Sequence, residues 1–293
     1  MTRVRRNVVP LVVVVMALAV GIALGAGPLS DLGSSPPKAA AEPSPEPDTA
    51  GDEAVTYGDA FAGTVAQSLY AGRLHGHPVA LVTLPGADDD VVAALTEQVR
   101  LAGTRVIGTY GVRRSMLDPN EKTLVDTLGV QLVGQLGVDV VTPDATTTYD
   151  RIGQLLGRAV ATTSKAAGLD QARVASLRAS LHGAGLLTET EEGEPHLAPL
   201  VLVVTGTEVE QPILSGVVAG LAAAAKGVVV VGPSGAGDIA ALRSEPPVRP
   251  VATVDGTDRA TGRVAAVLAL VHVLATPGGS FGASGTDGSV PLG

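Results

Sequence analysis

Residues 78–110 read PVALVTLPGADDDVVAALTEQVRLAGTRVIGTY. The run from Pro78 to Leu84 is short, apolar and bounded by turn residues, which predicts a buried strand. From Asp88 to Ala102, Val92, Leu95, Val99 and Ala102 share one helical face. Gly103 stops that helix, and Thr104 to Tyr110 reads as a second strand. Strand, helix, strand in about thirty residues is the unit from which parallel sheets are built.

Outward from this unit the alternation continues. Leu124, Leu128, Leu132 and Leu136 are spaced by four, and Ile152, Leu155, Leu156, Ala159 and Val160 fit one buried stripe, as do Val174, Leu177 and Leu181. Strands resume at 200–205, 228–231 and 251–254, with helices at about 210–225, 235–243 and 259–275. The strands are apolar throughout and not alternating, so both faces of the sheet must be covered. The fold class is therefore α/β, one three-layer domain with a mostly parallel sheet over residues 55–276.

The N-terminus has another composition. Arg3, Arg5 and Arg6 precede an apolar run from Val8 to Ala26 that holds no charge. As a helix this run is roughly 28 Å long, close to the ~30 Å hydrocarbon core. Residues 1–27 thus read as a cytoplasmic arginine tip and a single transmembrane helix, with the remainder exported. Gly25, Ala26 and Gly27 also offer the small residues of a signal-peptide cleavage site. Residues 28–54 contain six prolines among Ser, Ala and acids and read as an extended spacer. Residues 277–293, rich in Gly and Ser, read as a frayed tail. The expected location is the cell membrane, single-pass, with the folded domain extracytoplasmic.

Composition removes several functions. The net charge is −9, and without Arg3, Arg5 and Arg6 it falls to −12, the wrong sign for a phosphate backbone, so no nucleic-acid partner is expected. Aromatic residues make up 2% of the chain, too few for the interfacial girdles of a membrane barrel. The absence of cysteine excludes disulfides, zinc-thiolate sites, a cysteine nucleophile and a lipoprotein anchor.

Candidate sites are few. Asp88, Asp89 and Asp90 are placed either to cap a helix or to hold a divalent cation with oxygen ligands. Gly232, Ser234, Gly235 and Gly237 form a glycine-rich turn between a strand and a helix, a βα connection whose amides suit an anion or small ligand; it lacks the lysine of a P-loop and the spacing of a dinucleotide fingerprint. Ser234 also sits in a near nucleophile elbow, with Asp255 and His272 as imaginable partners. His75 and His77 share a face if their segment is extended, which suits Cu²⁺, Ni²⁺ or Zn²⁺ as well as a plain solvated loop. For Cu⁺ the soft donor in the folded region is Met116. No complete triad, metal cluster or nucleotide motif emerges. The expectation is a protein that is not an enzyme and carries no cofactor.

Three stretches carry a resemblance: the span ending Gly21-Ile-Ala-Leu-Gly25; Leu84-Pro-Gly-Ala-Asp-Asp-Asp90-Val-Val-Ala; and Ala252-Thr-Val-Asp-Gly-Thr-Asp258-Arg-Ala-Thr-Gly-Arg263, continuing to Leu270. In this layout the chain resembles the actinobacterial copper-transport family MctB, also called SteB. The resemblance implies copper efflux or homeostasis, with copper as the implied metal. A second picture of the family implies an envelope scaffold that pairs with the membrane protein SteA, or with itself, and regulates peptidoglycan hydrolysis at division. The chain departs from the family in its proline-rich 28–54, where relatives have a coiled-coil-prone stretch, and in Gly279-Ser-Phe-Gly282, where relatives have a histidine.

Overall fold

The computed structural model describes residues 49–291 except 138–139, 144, 146, 164–168, 190–195 and 208. The expected anchor and most of the expected spacer lie outside the described residues. Among the described residues no helix is long and apolar enough to cross a membrane.

The chain runs α1 (Thr49–Tyr70), β1 (Val79–Thr83), α2 (Asp89–Leu101), β2 (Val106–Val112), α3 (Arg114–Leu117), α4 (Lys122–Leu136), α5 (Thr148–Val160), α6 (Gln171–Gly183) and β3 (Leu187–Glu189). It continues through β4 (Leu200–Val204), α7 (Gln211–Ala224), β5 (Gly227–Gly232), α8 (Gly237–Arg243), β6 (Ala252–Asp255), α9 (Ala260–His272) and β7 (Ser280–Gly282). The strands form one sheet in the order β3-β2-β1-β4-β5-β6-β7. Every pairing is parallel except β2 with β3.

The continuous apolar strands divide their side chains between two cores. On β1, Ala80 and Val82 face a core built with α4 to α8, whereas Val79 and Leu81 face one built with α1, α2 and α9. The first core depends on a close helix pair: Gly220 of α7 lies against the backbone of Asp150 and Gln154 on α5, and Gly153 of α5 lies against Val217. A side chain at either glycine would hold the two helices apart.

Three features differ from the sequence reading. α1 begins at Thr49, inside the stretch read as spacer. Its Ala62, Ala66 and Tyr70 are buried, and Asp59 accepts from the amide of Thr261 in the first turn of α9. The C-terminal segment does not fray: β7 pairs with β6, and Phe281 is buried. An antiparallel edge strand, β3, closes the other side of the sheet.

Candidate functional site

Open α/β sheets bind ligands outside the carboxyl ends of their strands, where the strand order reverses. Here the reversal falls between β1 and β4. The loops that leave these strands are tied together. Leu84 N donates to Val204 O at 2.9 Å, and the amide and hydroxyl of Thr207 both donate to Pro85 O at 2.7 Å. Gly86 takes a positive φ of 80°, and a β-carbon on it would sit 2.8 Å from Thr207 Cγ2. The crevice is therefore closed where a dinucleotide would lie. The start of α2 carries its own negative charge: Asp88 Oδ1 accepts from Asp90 N at 2.8 Å and Val91 N at 3.3 Å, with Asp89 and Asp90 in the first turn. A phosphate there would meet carboxylates.

Beside this closed crevice a cleft of about 410 Å³ remains, between the start of α2 and the start of α9. Asp88 and Asp90 stand on one wall, Pro233, Thr257, Asp258 and Arg263 on the other, and Thr205 and Gly206 below. Asp258 Oδ1 accepts from Ser234 N at 2.7 Å and Ser234 Oγ at 2.9 Å, and its Oδ2 lies 3.7 Å from Arg259 Nε. Burial alone would raise the Asp258 pKa. The Ser234 donors and the Arg259 charge outweigh burial and hold it below the ordinary carboxylate range. Arg263 Nη1 donates to Thr257 O at 3.0 Å.

Of the residues singled out from sequence, Ser234, Asp255 and His272 lie in three different places. Gly232, Ser234, Gly235 and Gly237 make the turn between β5 and α8, with Gly235 at φ 73°. Ser234 gives its hydroxyl to Asp258 and not to a histidine. His272 ends α9, the 13-residue helix whose first turn stands at the cleft, and its ring meets Phe281 edge-on at 5.3 Å. Asp255 is held by Arg243. Ser234, Asp255 and His272 therefore do not assemble.

The segment with His75 and His77 is turned, not extended. His75 N donates to Gly72 O, His77 N donates to Leu74 O, and Gly76 has φ 77°. Burial, with Lys226 nearby, lowers the His77 pKa. Among the described residues no group of three His, Cys, Asp or Glu is placed to hold a metal ion.

Two arrangements escaped the sequence reading because their partners are far apart along the chain. Arg243 donates to Thr253 Oγ1 (3.1 Å), Ser284 Oγ (2.8 Å), Asp255 Oδ1 (2.9 Å) and Phe281 O (2.7 Å). Arg178 lies 5.0 Å over the Tyr110 ring and donates to Ala159 O at 2.8 Å. The first of these binds the C-terminal segment to β6; the second fastens α6 to β2 and α5.

The family described as "Copper transport outer membrane protein, MctB" matches residues 1–292. The chain belongs to the MctB family. Among its MctB relatives are proteins named "Copper transporter MctB" from Mycobacterium bovis and Mycobacterium tuberculosis. They are 27% identical to it over 310 residues, an alignment covering 98% of this chain and 96% of theirs. The MctB match thus takes in both cores, the cleft and the C-terminal network.

Proposed function

We propose that the protein serves copper homeostasis at the cell envelope as a membrane-anchored, non-enzymatic component that acts through a protein partner. The family match and the relatives named as copper transporters support the copper role. The uncharged run Val8–Ala26 behind three arginines supports a single anchor, with the folded domain outside. One observation carries the choice of a partner over direct coordination. In a chain without cysteine, Met116 is fully buried, so the described domain offers Cu⁺ no accessible soft donor. The described sheet is also open, mostly parallel and covered by helices on both faces, which argues against a lipid-facing barrel built from these strands.

A competition titration of the full chain with Cu⁺, paired with cross-linked pull-down from native membranes, tests this. The expected result is no tight stoichiometric Cu⁺ binding and recovery of a membrane protein. Stoichiometric Cu⁺ binding would restore direct transport.

The surface of α1 favours a second reading, an envelope scaffold that pairs with a SteA-like protein. Tyr57 and Phe61 stack with ring centroids 6.5 Å apart and stand 73% and 57% exposed. Two of the chain's six aromatic residues are thus presented to solvent on one helix, a composition typical of protein contacts. Phe61→Asp separates the two readings: under the scaffold reading it impairs division and leaves copper tolerance intact.

A further inference from the structure

We infer that the cleft between α2 and α9 binds a small organic cation, a molecule carrying a protonated primary amine. At about 410 Å³ it falls within the ~300–1,000 Å³ of small-ligand pockets. It lies at the carboxyl ends of the strands, beside the reversal of strand order.

One buried hydroxyl points to a ligand independently of the acids. Thr257 is 1% exposed and lines the cleft, and its side chain has no hydrogen-bond partner among the described residues. The one sealed, unpartnered side-chain polar atom among those residues is Tyr149 Oη. The Thr257 hydroxyl therefore keeps an opening, and the opening that Thr257 lines is the cleft. Buried polar groups are ordinarily satisfied, and this one is left for whatever enters.

Charge and hydrogen-bonding capacity select the class. Asp88 and Asp90 face the cleft with Asp258, which is paired with Arg259; the one guanidinium that lines the cleft, Arg263, is turned onto Thr257 O. Asp88 spends one oxygen on the helix cap, and Asp258 spends one on Ser234 and sets the other 3.7 Å from Arg259, whereas the Asp90 carboxylate has no partner among the described residues. An ionised carboxylate only accepts, and an ammonium only donates, with three hydrogens. A phosphate or carboxylate ligand would be repelled. A neutral polyol would bring lone pairs with few donors to meet them. A bare metal ion lacks three ligands close enough together.

The test is calorimetric titration of the full chain in detergent micelles at about 150 mM salt, where diffuse attraction to an acidic protein is screened. Spermidine is the probe, with myo-inositol and inorganic phosphate beside it. One saturable spermidine site is expected, and neither comparator should bind. Asp90→Asn, outside the cap, and Thr257→Val, of equal volume, should each weaken binding about tenfold, the worth of one charge-assisted hydrogen bond, at an unchanged melting temperature. Glu53→Gln on exposed α1 should leave it unaltered. Absence of saturable binding, equal binding by all variants, or preference for inositol would overturn the inference.

Discussion

Arg243, the last residue of α8, and Asp255, the last residue of β6, form an ion pair with Nη2 2.9 Å from Oδ1 and side chains 12% and 3% exposed. The pair is stitched to a third element. Ser284 gives both its amide and its hydroxyl to Asp255, and the same Arg243 nitrogen donates to the carbonyl of Phe281. Every oxygen of the buried carboxylate is met by a donor, the condition under which a buried charge is tolerated.

Removing the cation should therefore cost more than the pair itself contributes. Arg243→Ala leaves Asp255 buried without its counter-charge, and a loss of about 3–5 kcal/mol is expected in denaturant unfolding of the full chain. A loss under 1 kcal/mol would mean that water reaches Asp255 freely.

Acid should act at the same place. Burial tends to raise the Asp255 pKa, but hydrogen bonds from Ser284 and Arg243 prevail and hold it below the ordinary carboxylate range. A carboxylate depressed by folding contributes stability that is complete above its unfolded value, about 3.9, and disappears as pH falls through the folded value. Asp258 is depressed in the same direction and adds to the slope. The melting temperature should stay level from neutral to about pH 5 and fall below that. Asp255→Asn should lower it at neutral pH and flatten part of the acid limb. An unaltered acid limb in this variant would remove Asp255 from the account.

Gly220 gives a steric prediction. Its missing side chain admits the backbone of Asp150 and Gln154, so Gly220→Ala must push α7 from α5. Overpacking of this kind costs about 1–3 kcal/mol. Thermal unfolding should show a fall of several degrees, whereas Gly134→Ala, with open space around it, should not.

Topology can be checked in cells. A reporter active only outside the cytoplasm, fused after Gly293, should be active, and the protein should remain in the membrane fraction. Deleting residues 1–27 should abolish reporter activity. A shortened, soluble form of the intact chain would show that the apolar run is cleaved as a signal peptide.

The central strands β1, β4, β5 and β6 and helices α2, α4, α5, α6, α7 and α9 were legible because their apolar residues run continuously or recur at helical spacing. α1 was not, since Gly58, Gly63 and several Thr and Ala residues blur its period and its first turns are exposed. β7 was missed for another reason. Gly278-Gly279-Ser280-Phe281-Gly282 has the composition of a loop, and what orders it is Arg243, some forty residues earlier. The cleft was half visible. Asp88 and Asp90 stood out as a run, but Asp258 joins them only through the fold, and the uncommitted hydroxyl of Thr257 leaves no trace in a sequence.

The position of β7 bears on aggregation. Composition would end the domain near residue 276, yet a chain cut there loses the strand that covers Thr253, Val254 and Asp255 of β6. It would also lose Ser284, and with it the donors that quiet Asp255. The uncovered edge would present unpaired amides and carbonyls beside apolar Val254, a template for a strand from another molecule. The shorter chain should precipitate where the full one stays dispersed, because seventeen residues that look expendable keep the sheet from recruiting its neighbours.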